Sequence, residues 1–115
     1  MSKLRETGSQ AVSLKLARAA REMQPHAARA AELLKALANE QRLMILCQLM
    51  QGPLSVGQIN ERVPLSQSAL SQHLAVLREV GIVATARESQ TIHYSLAQGV
   101  VLRLMEALHD EFCKR

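Results

Sequence analysis

At 115 residues the chain has the length of one domain with a single modest core. Nearly half of it, 48%, is hydrophobic, but Tyr94 and Phe112 are the only aromatics and Trp is absent. That argues against RNA and single-strand binders, which stack bases on aromatic platforms. The net charge of +4 is unevenly placed: residues 1–29 hold six Lys/Arg against two Glu, while residues 30–115 hold eight of each sign. A basic arm on phosphates and a solubilising frayed end both fit this excess. No run of about 18 apolar residues exists, so neither a membrane span nor a membrane partner is expected. A secretory signal's apolar core is also missing, and the chain is expected in the cytoplasm. There its two cysteines, Cys47 and Cys113, rest as thiols rather than as a structural staple.

In chain order, residues 1–8 read as disordered and Ser9–Met23 as a weakly amphipathic helix with Val12, Leu16, Ala19, Ala20 and Met23 on one face. Residues 1–24 thus form a basic extension, partly disordered or helical. Pro25 restarts the chain in a helix to Leu37, whose small Ala27, Ala30 and Ala31 permit close approach in a core or at a dimer seam. Asn39 caps the next helix, Glu40–Met50, apolar on most sides and therefore central; Gly52-Pro53 breaks it. Ser55 caps a short helix, Val56–Val63, and Pro64-Leu65 turns into a third cap, Ser66.

The stretch that follows organises the whole chain. Leu70, Leu74 and Leu77 recur at the spacing of one buried helical face, and Gly81 stops that helix after Val80. The other face carries Gln67, Ser68, Ser71, Gln72, Ala75 and Arg78. An uncharged amide-and-hydroxyl face near the helix N-terminus suits a DNA major groove, since Gln bonds an adenine edge and Ser reaches a base or phosphate. An ordinary surface helix has the same outline. Ile82–Arg87 and Thr91–Leu96 are β-leaning runs around Glu88-Ser89-Gln90, a two-stranded wing, and Gln98–Lys114 is a last helix with Val101, Leu104, Met105, Leu108 and Phe112 in register. The expected fold is mainly α with a small β-hairpin: a winged helix-turn-helix over residues 25–115. Gln67, Ser68, Ser71, Gln72 and His73 are the candidate base or phosphate contacts, with His73 equally readable as a structural histidine. Arg87, Ser89, Gln90 and Thr91 are the candidate wing contacts. Arg42 and Arg78 read either as phosphate clamps or as partners in surface ion pairs. No enzyme and no cofactor are expected, because Cys113 with His109 is the only Cys–His pair at helical spacing and lacks an orienting third group.

The segments LLKALANEQRLMILCQL, LSVGQINERV and LSQSALSQHLAVLREVGIVATARESQTIHYSL resemble the ArsR/SmtB family of bacterial repressors across about residues 27–114. The resemblance implies a homodimer seamed by its terminal helices, with recognition helices in successive major grooves of an inverted-repeat operator in double-stranded DNA. Metal-sensing members carry a Cys-x-Cys where this chain has Ser55 and Gly57. Their last-helix ligands correspond here to Gln98, Val100, Glu111 and Lys114, so no metal site is expected.

The cysteines, 66 positions apart, are instead similar to those of the BigR/SqrR/HlyU subgroup, in which two thiols answer reactive sulfur or oxidants. The GQI turn, SQSALSQHL and the FC ending strengthen that likeness. It implies a repressor whose operator binding is switched by bridging Cys47 to Cys113, with a metal- or ligand-responsive repressor or an anti-repressor as the alternatives. Taken singly, each Cys is more often a small buried hydrophobe. Lys114 and Arg115 favour a Cys113 thiolate and the helix dipole opposes it; Cys113 is the expected first site of attack and Cys47 the resolving thiol. A disulfide needs a Cα separation of about 4.4–6.8 Å, a limit that inserted sulfurs relax.

Overall fold

The computed structural model describes the backbone of residues 3–97 and 99–113 and the side chains of residues 10–97 and 99–113. The elements run α1 (Lys3–Met23), a 3-10 turn (Gln24–His26), α2 (Ala27–Leu37), α3 (Glu40–Leu49), β1 (Leu54–Ser55), α4 (Val56–Arg62), α5 (Gln67–Glu79), β2 (Val83–Glu88), β3 (Thr91–Leu96) and α6 (Gly99–Phe112). Two compact units result, Met1–Glu32 and Leu33–Arg115, divided inside α2. Helix α1 starts at Lys3, which corrects the expectation of disorder across residues 3–8. Lys3, Leu4, Arg5 and Glu6 are good helix formers, so the helix continues through them. Residues 1 and 2 lie outside the described residues.

All three expected caps are present. The Arg42 amide donates to Asn39 Oδ1 at 3.0 Å, the Gln58 amide to Ser55 Oγ at 3.2 Å, and the Ala69 amide to Ser66 Oγ at 3.1 Å. At Ser55 the pairing is reciprocal, the Ser55 amide donating to Gln58 Oε1 at 2.9 Å. Helix α5 ends on Gly81 at φ +84°, where the Gly81 amide donates to the Arg78 carbonyl at 3.0 Å and the Ile82 amide to the Leu77 carbonyl at 2.9 Å. This pair of bonds closes the last turn and requires a left-handed residue, for which glycine carries no Cβ penalty. Because the Ile82 amide is spent on that closure, β2 begins at Val83 and not at Ile82.

The core of Leu33–Arg115 is built where the apolar spacing placed it: Ile45, Leu46 and Leu49 from α3, Ile59 from α4, Leu70, Leu74 and Leu77 from α5, Ile82 and Val83 after it, and Val101 and Met105 from α6. Leu33, Leu43, Met50, Val56, Tyr94, Leu96 and Leu104 are half-buried against it. The sheet corrects the expected two-stranded wing. It has three antiparallel strands in the order β1-β3-β2, with Leu54 opposite Tyr94 and Ser55 opposite His93 on the added edge. Two residues are too few to leave a periodic signature, which is why β1 is invisible in the sequence. On the other edge Glu88 lies opposite Thr91, so the wing turns through Ser89-Gln90 alone, with Ser89 at φ +57°. Gly81→Ala should lower stability by about 1–2 kcal/mol through the left-handed backbone, and Gly81→Asn by less; urea denaturation of each variant measures it.

Candidate DNA-reading face and the two thiols

Helices α4 and α5 meet at the turn Val63–Ser66, which the Asn60 side chain holds by donating Nδ2 to the Leu65 carbonyl at 2.8 Å. At about 100° per residue, Gln67, Ser68, Ser71, Gln72, Ala75 and Arg78 share an arc of about 140° on α5. All six are exposed, while Leu70, Leu74 and Leu77 anchor the opposite side. The first turn of α5 carries no acid, so nothing there repels a phosphate. Arg87, Ser89, Gln90 and Thr91 are exposed on the wing, together with Glu88, an acid beside them.

His73 falls on the flank of α5, away from that arc. It is half-buried, its Nε2 lies 2.9 Å from Gln41 Oε1, and its Nδ1 lies 3.5 Å from Arg42 Nη1. A neutral ring protonated at Nε2 donates to Gln41 and accepts from Arg42, so both nitrogens are used. Arg42 is equally occupied. Its Nε donates to the Ala36 carbonyl at 2.6 Å and its Nη2 to the Lys35 carbonyl at 3.4 Å, both in the last turn of α2. The guanidinium therefore closes the C-terminal end of α2 and reaches α5, in place of the phosphate clamp that sequence reasoning allowed. Sequence reasoning missed Gln41, Asn60 and this use of Arg42. The available signal was position: Asn39 caps α3, which sets Arg42 in its first turn, immediately after the exposed carbonyls of α2.

Both cysteines are exposed, Cys47 on α3 and Cys113 just past α6, which overturns the alternative that each is a small buried hydrophobe. Loss of hydration pushes the Cys47 thiol up, and the charge of Cys113 pushes it further. Cys113 thus acts electrostatically on Cys47 across 66 positions of sequence. The Cys113 amide donates to the His109 carbonyl at 2.8 Å, keeping the residue on the last helical turn. Lys114 and Arg115, invoked for its charge, lie outside the described residues. So do Gln98 and Lys114 of the metal-ligand positions; Ser55 is spent as a cap, and Val100 and Glu111 are exposed. Among the described residues, no group of three or more His, Cys, Asp or Glu is placed to hold a metal ion. No helix among them is long and apolar enough to cross a membrane.

Towards its C-terminal end α6 leaves its apolar stripe uncovered, Leu108 at 39% exposure and Phe112 at 76%. Leu34, Leu37, Ala38, Leu43, Leu104, Ala107 and Leu108 line an apolar groove of about 360 Å³ there.

Residues 39–85 match the model of the bacterial regulatory protein arsR family, the span that holds α3, the helix-turn-helix and the start of the wing. The transcriptional activator HlyU of Vibrio cholerae is 52% identical over 93 residues, covering 81% of this chain and 86% of that protein. The chain belongs to the ArsR family. Reduced HlyU from the same organism superposes on this regulator with a TM-score of 0.75 over 81% of this chain and 98% of that one. The transcriptional repressor BigR of Xylella fastidiosa, 40% identical, also gives 0.75, over 83% of this chain and 97% of its own. A homodimeric winged helix-turn-helix DNA-binding domain of Mycobacterium bovis, 31% identical, gives 0.69 over 75% and 80%. Like HlyU and BigR, this regulator is a winged helix-turn-helix protein of the BigR/HlyU side of the family, and a transcriptional regulator.

Two outcomes check these assignments. Arg42→Met should cost about 1–3 kcal/mol of stability in denaturation, because it strips the last carbonyls of α2 of their partner. Unchanged stability with weakened DNA binding would return Arg42 to the phosphates. The pH profile of Cys47 alkylation should lie above that of an ordinary cysteine, since a raised pKa keeps the thiol protonated to higher pH. Cys113→Ser should move it back down in part.

Proposed function

We propose that this regulator binds an inverted-repeat operator in double-stranded DNA as a homodimer, represses from it while reduced, and lets go when an oxidant or reactive sulfur species joins Cys47 to Cys113. The observation that supports the switch is that both thiols are exposed, one on α3 and one just past α6, with the charge of Cys113 acting on Cys47. It is a regulator and not an enzyme, works in the cytoplasm, and needs no metal or cofactor. The apolar groove between α2, α3 and α6 and the bare lower end of α6 supply the self-complementary face that a two-fold dimer needs. A homodimeric relative with the same fold supports that assembly.

In the duplex, Gln67, Ser68, Ser71 and Gln72 face the base edges of the major groove. Arg87, Ser89, Gln90 and Thr91 reach the adjoining minor groove or its phosphates. His73 acts behind them as a positioning residue, held by Gln41 and Arg42.

The chemistry of closure balances with a persulfide as oxidant. A Cys113 thiolate attacks the outer sulfur of the persulfide, forming a protein persulfide and releasing a thiolate. Cys47, deprotonated as it reacts, attacks the Cys113 sulfur and expels hydrosulfide, leaving one disulfide. Keeping the extra sulfur in the bridge instead requires a second electron acceptor, such as a disulfide reduced to two thiols. Either link ties α3 to α6 and so couples the reading head to the dimer seam. A shift of a few ångströms away from the half-site spacing of about 34–36 Å weakens both half-sites together. A coupling of about 1–3 kcal/mol is enough to change occupancy several-fold or more. HlyU's being a transcriptional activator favours a second reading in which the same switch has the opposite output, by displacing a silencer.

The deciding measurement is affinity for the regulator's own promoter fragment, reduced and after persulfide treatment, with intact mass recorded. The expected result is a loss of affinity with loss of two hydrogens or gain of sulfur. Cys47→Ser should keep the reduced affinity and abolish the response; a surviving response overturns the dithiol switch. Gln72→Ala with Ser68→Ala should cost about 1–3 kcal/mol per specific contact, and equal losses on specific and random DNA would overturn base reading.

A further inference from the structure

Helix α1 carries an exposed cationic side that the reading head does not use. Lys15, Arg18 and Arg21 are all exposed. At about 100° per residue they fall within one arc of about 120°, on a helix whose 21 residues extend about 31 Å. The apolar residues Val12, Leu16 and Met23 lie on the far side, while Leu14, also exposed, lies within the arc between Arg18 and Arg21. Glu22 sits within the cationic arc and offsets one charge. Residues 30–115, by contrast, carry as many acids as bases, so the molecule's excess of cation lies almost wholly in its N-terminal part.

Resting on the DNA-binding function proposed above, we propose that α1 is a second, sequence-independent DNA contact, its Lys15–Arg18–Arg21 side bonding the phosphates of duplex that flanks the operator. Duplex phosphate is the partner that fits. The side is cationic apart from Leu14 and Glu22, it lacks the aromatic wedge of a lipid-binding helix, and the same chain already presents a neutral reading helix that gains little affinity from charge. The Arg residues bond phosphate oxygens in pairs, and Lys15 serves as a point charge. Affinity then rises with the length of DNA offered, while sequence preference stays with α5.

The test is Lys15→Gln/Arg18→Gln/Arg21→Gln in the full chain, titrated by salt on a long promoter fragment and on a duplex trimmed to the operator. Glutamine keeps helix propensity, and circular dichroism confirms the helix. On the long fragment the slope of log affinity against log salt should fall by about 2–3 per protomer, or about 5 for the dimer, at about 0.9 per phosphate contact released. Low-salt affinity should drop ten-fold or more, equally for native and scrambled flanks, and on the trimmed duplex the variant should match the wild type. An unchanged slope overturns the proposal, as does an equal loss on the trimmed duplex. Two further results would also overturn it: wild type binding phosphatidylserine vesicles through these residues with no change on DNA, or the variant altering only the sedimenting mass. Failure of the wild type to bind the operator at all would instead overturn the function on which it rests, so the two failures are distinct.

Discussion

Arg42 is the joint on which the rest of the regulatory body depends. Its backbone amide is capped by Asn39, its Nε and Nη2 close the last carbonyls of α2, and its Nη1 meets His73 on the flank of α5. Charge-assisted bonds to carbonyls are shorter and stronger than neutral ones, and the 2.6 Å bond to Ala36 is of that kind. The joint ties three helices together through one residue. It also divides labour on α5. The flank that carries His73 belongs to the fold, and the arc that carries Gln67, Ser68, Ser71 and Gln72 is left free of intramolecular duties. In the proposed function a reading helix is positioned without spending its reading residues, and the Gln41–His73–Arg42 chain supplies that from behind.

Helix α3 gives that joint a second meaning. Arg42 and Gln41 lie in its first turn, and Cys47 lies five residues after Arg42, more than one turn further along. Between them Ile45 and Leu46 are fully buried, so α3 moves as a rigid rod seated in the core and not as a hinge. In the proposed switch, a covalent pull from Cys113 on Cys47 is therefore delivered to α5 through the Arg42 joint with little lost in side-chain rearrangement. Exposure of both thiols supplies the access such chemistry needs.

Much of this was legible in the sequence because it is periodic or local. Leu70, Leu74 and Leu77 announce a buried face by spacing, and Asn39, Ser55 and Ser66 announce helix starts by side-chain chemistry. Gly81 announces a stop by the backbone conformation that only it adopts without strain. What stayed hidden was non-local. The pairing of Leu54–Ser55 with β3 joins residues about forty positions apart through backbone bonds that leave no mark on side-chain type. Arg42 and His73 were both named, as possible DNA contacts, since a cation and an imidazole near a reading helix look alike whether they face phosphate or each other. The charge of Cys113 acting on Cys47 likewise depends on the tertiary fold, across 66 positions of sequence. At the wing, Glu88 is readable as an acid among the contact residues, but only the register with Thr91 shows that it borders the two-residue tip.

The charge pattern fits the proposed placing of reading and holding on different surfaces. An uncharged face such as that of α5 gains specificity from amide and hydroxyl geometry, and it gains little from counterion release, which scales with the phosphates neutralised. Cations packed into that arc would raise affinity for every sequence alike and so erode the ratio of specific to non-specific binding, the quantity that matters among many competing sites. Arg78, at the last turn of α5, is the one cation on that arc, and Arg87 stands on the wing with Glu88 beside it. A body with balanced charge must therefore draw its non-specific affinity from elsewhere in the chain, and the only marked excess of cation is in the first 29 residues. On this division of labour a switch needs to disturb only the spacing of the two reading helices: the phosphate contacts can persist while specificity is lost, leaving a regulator that leaves its operator without leaving DNA.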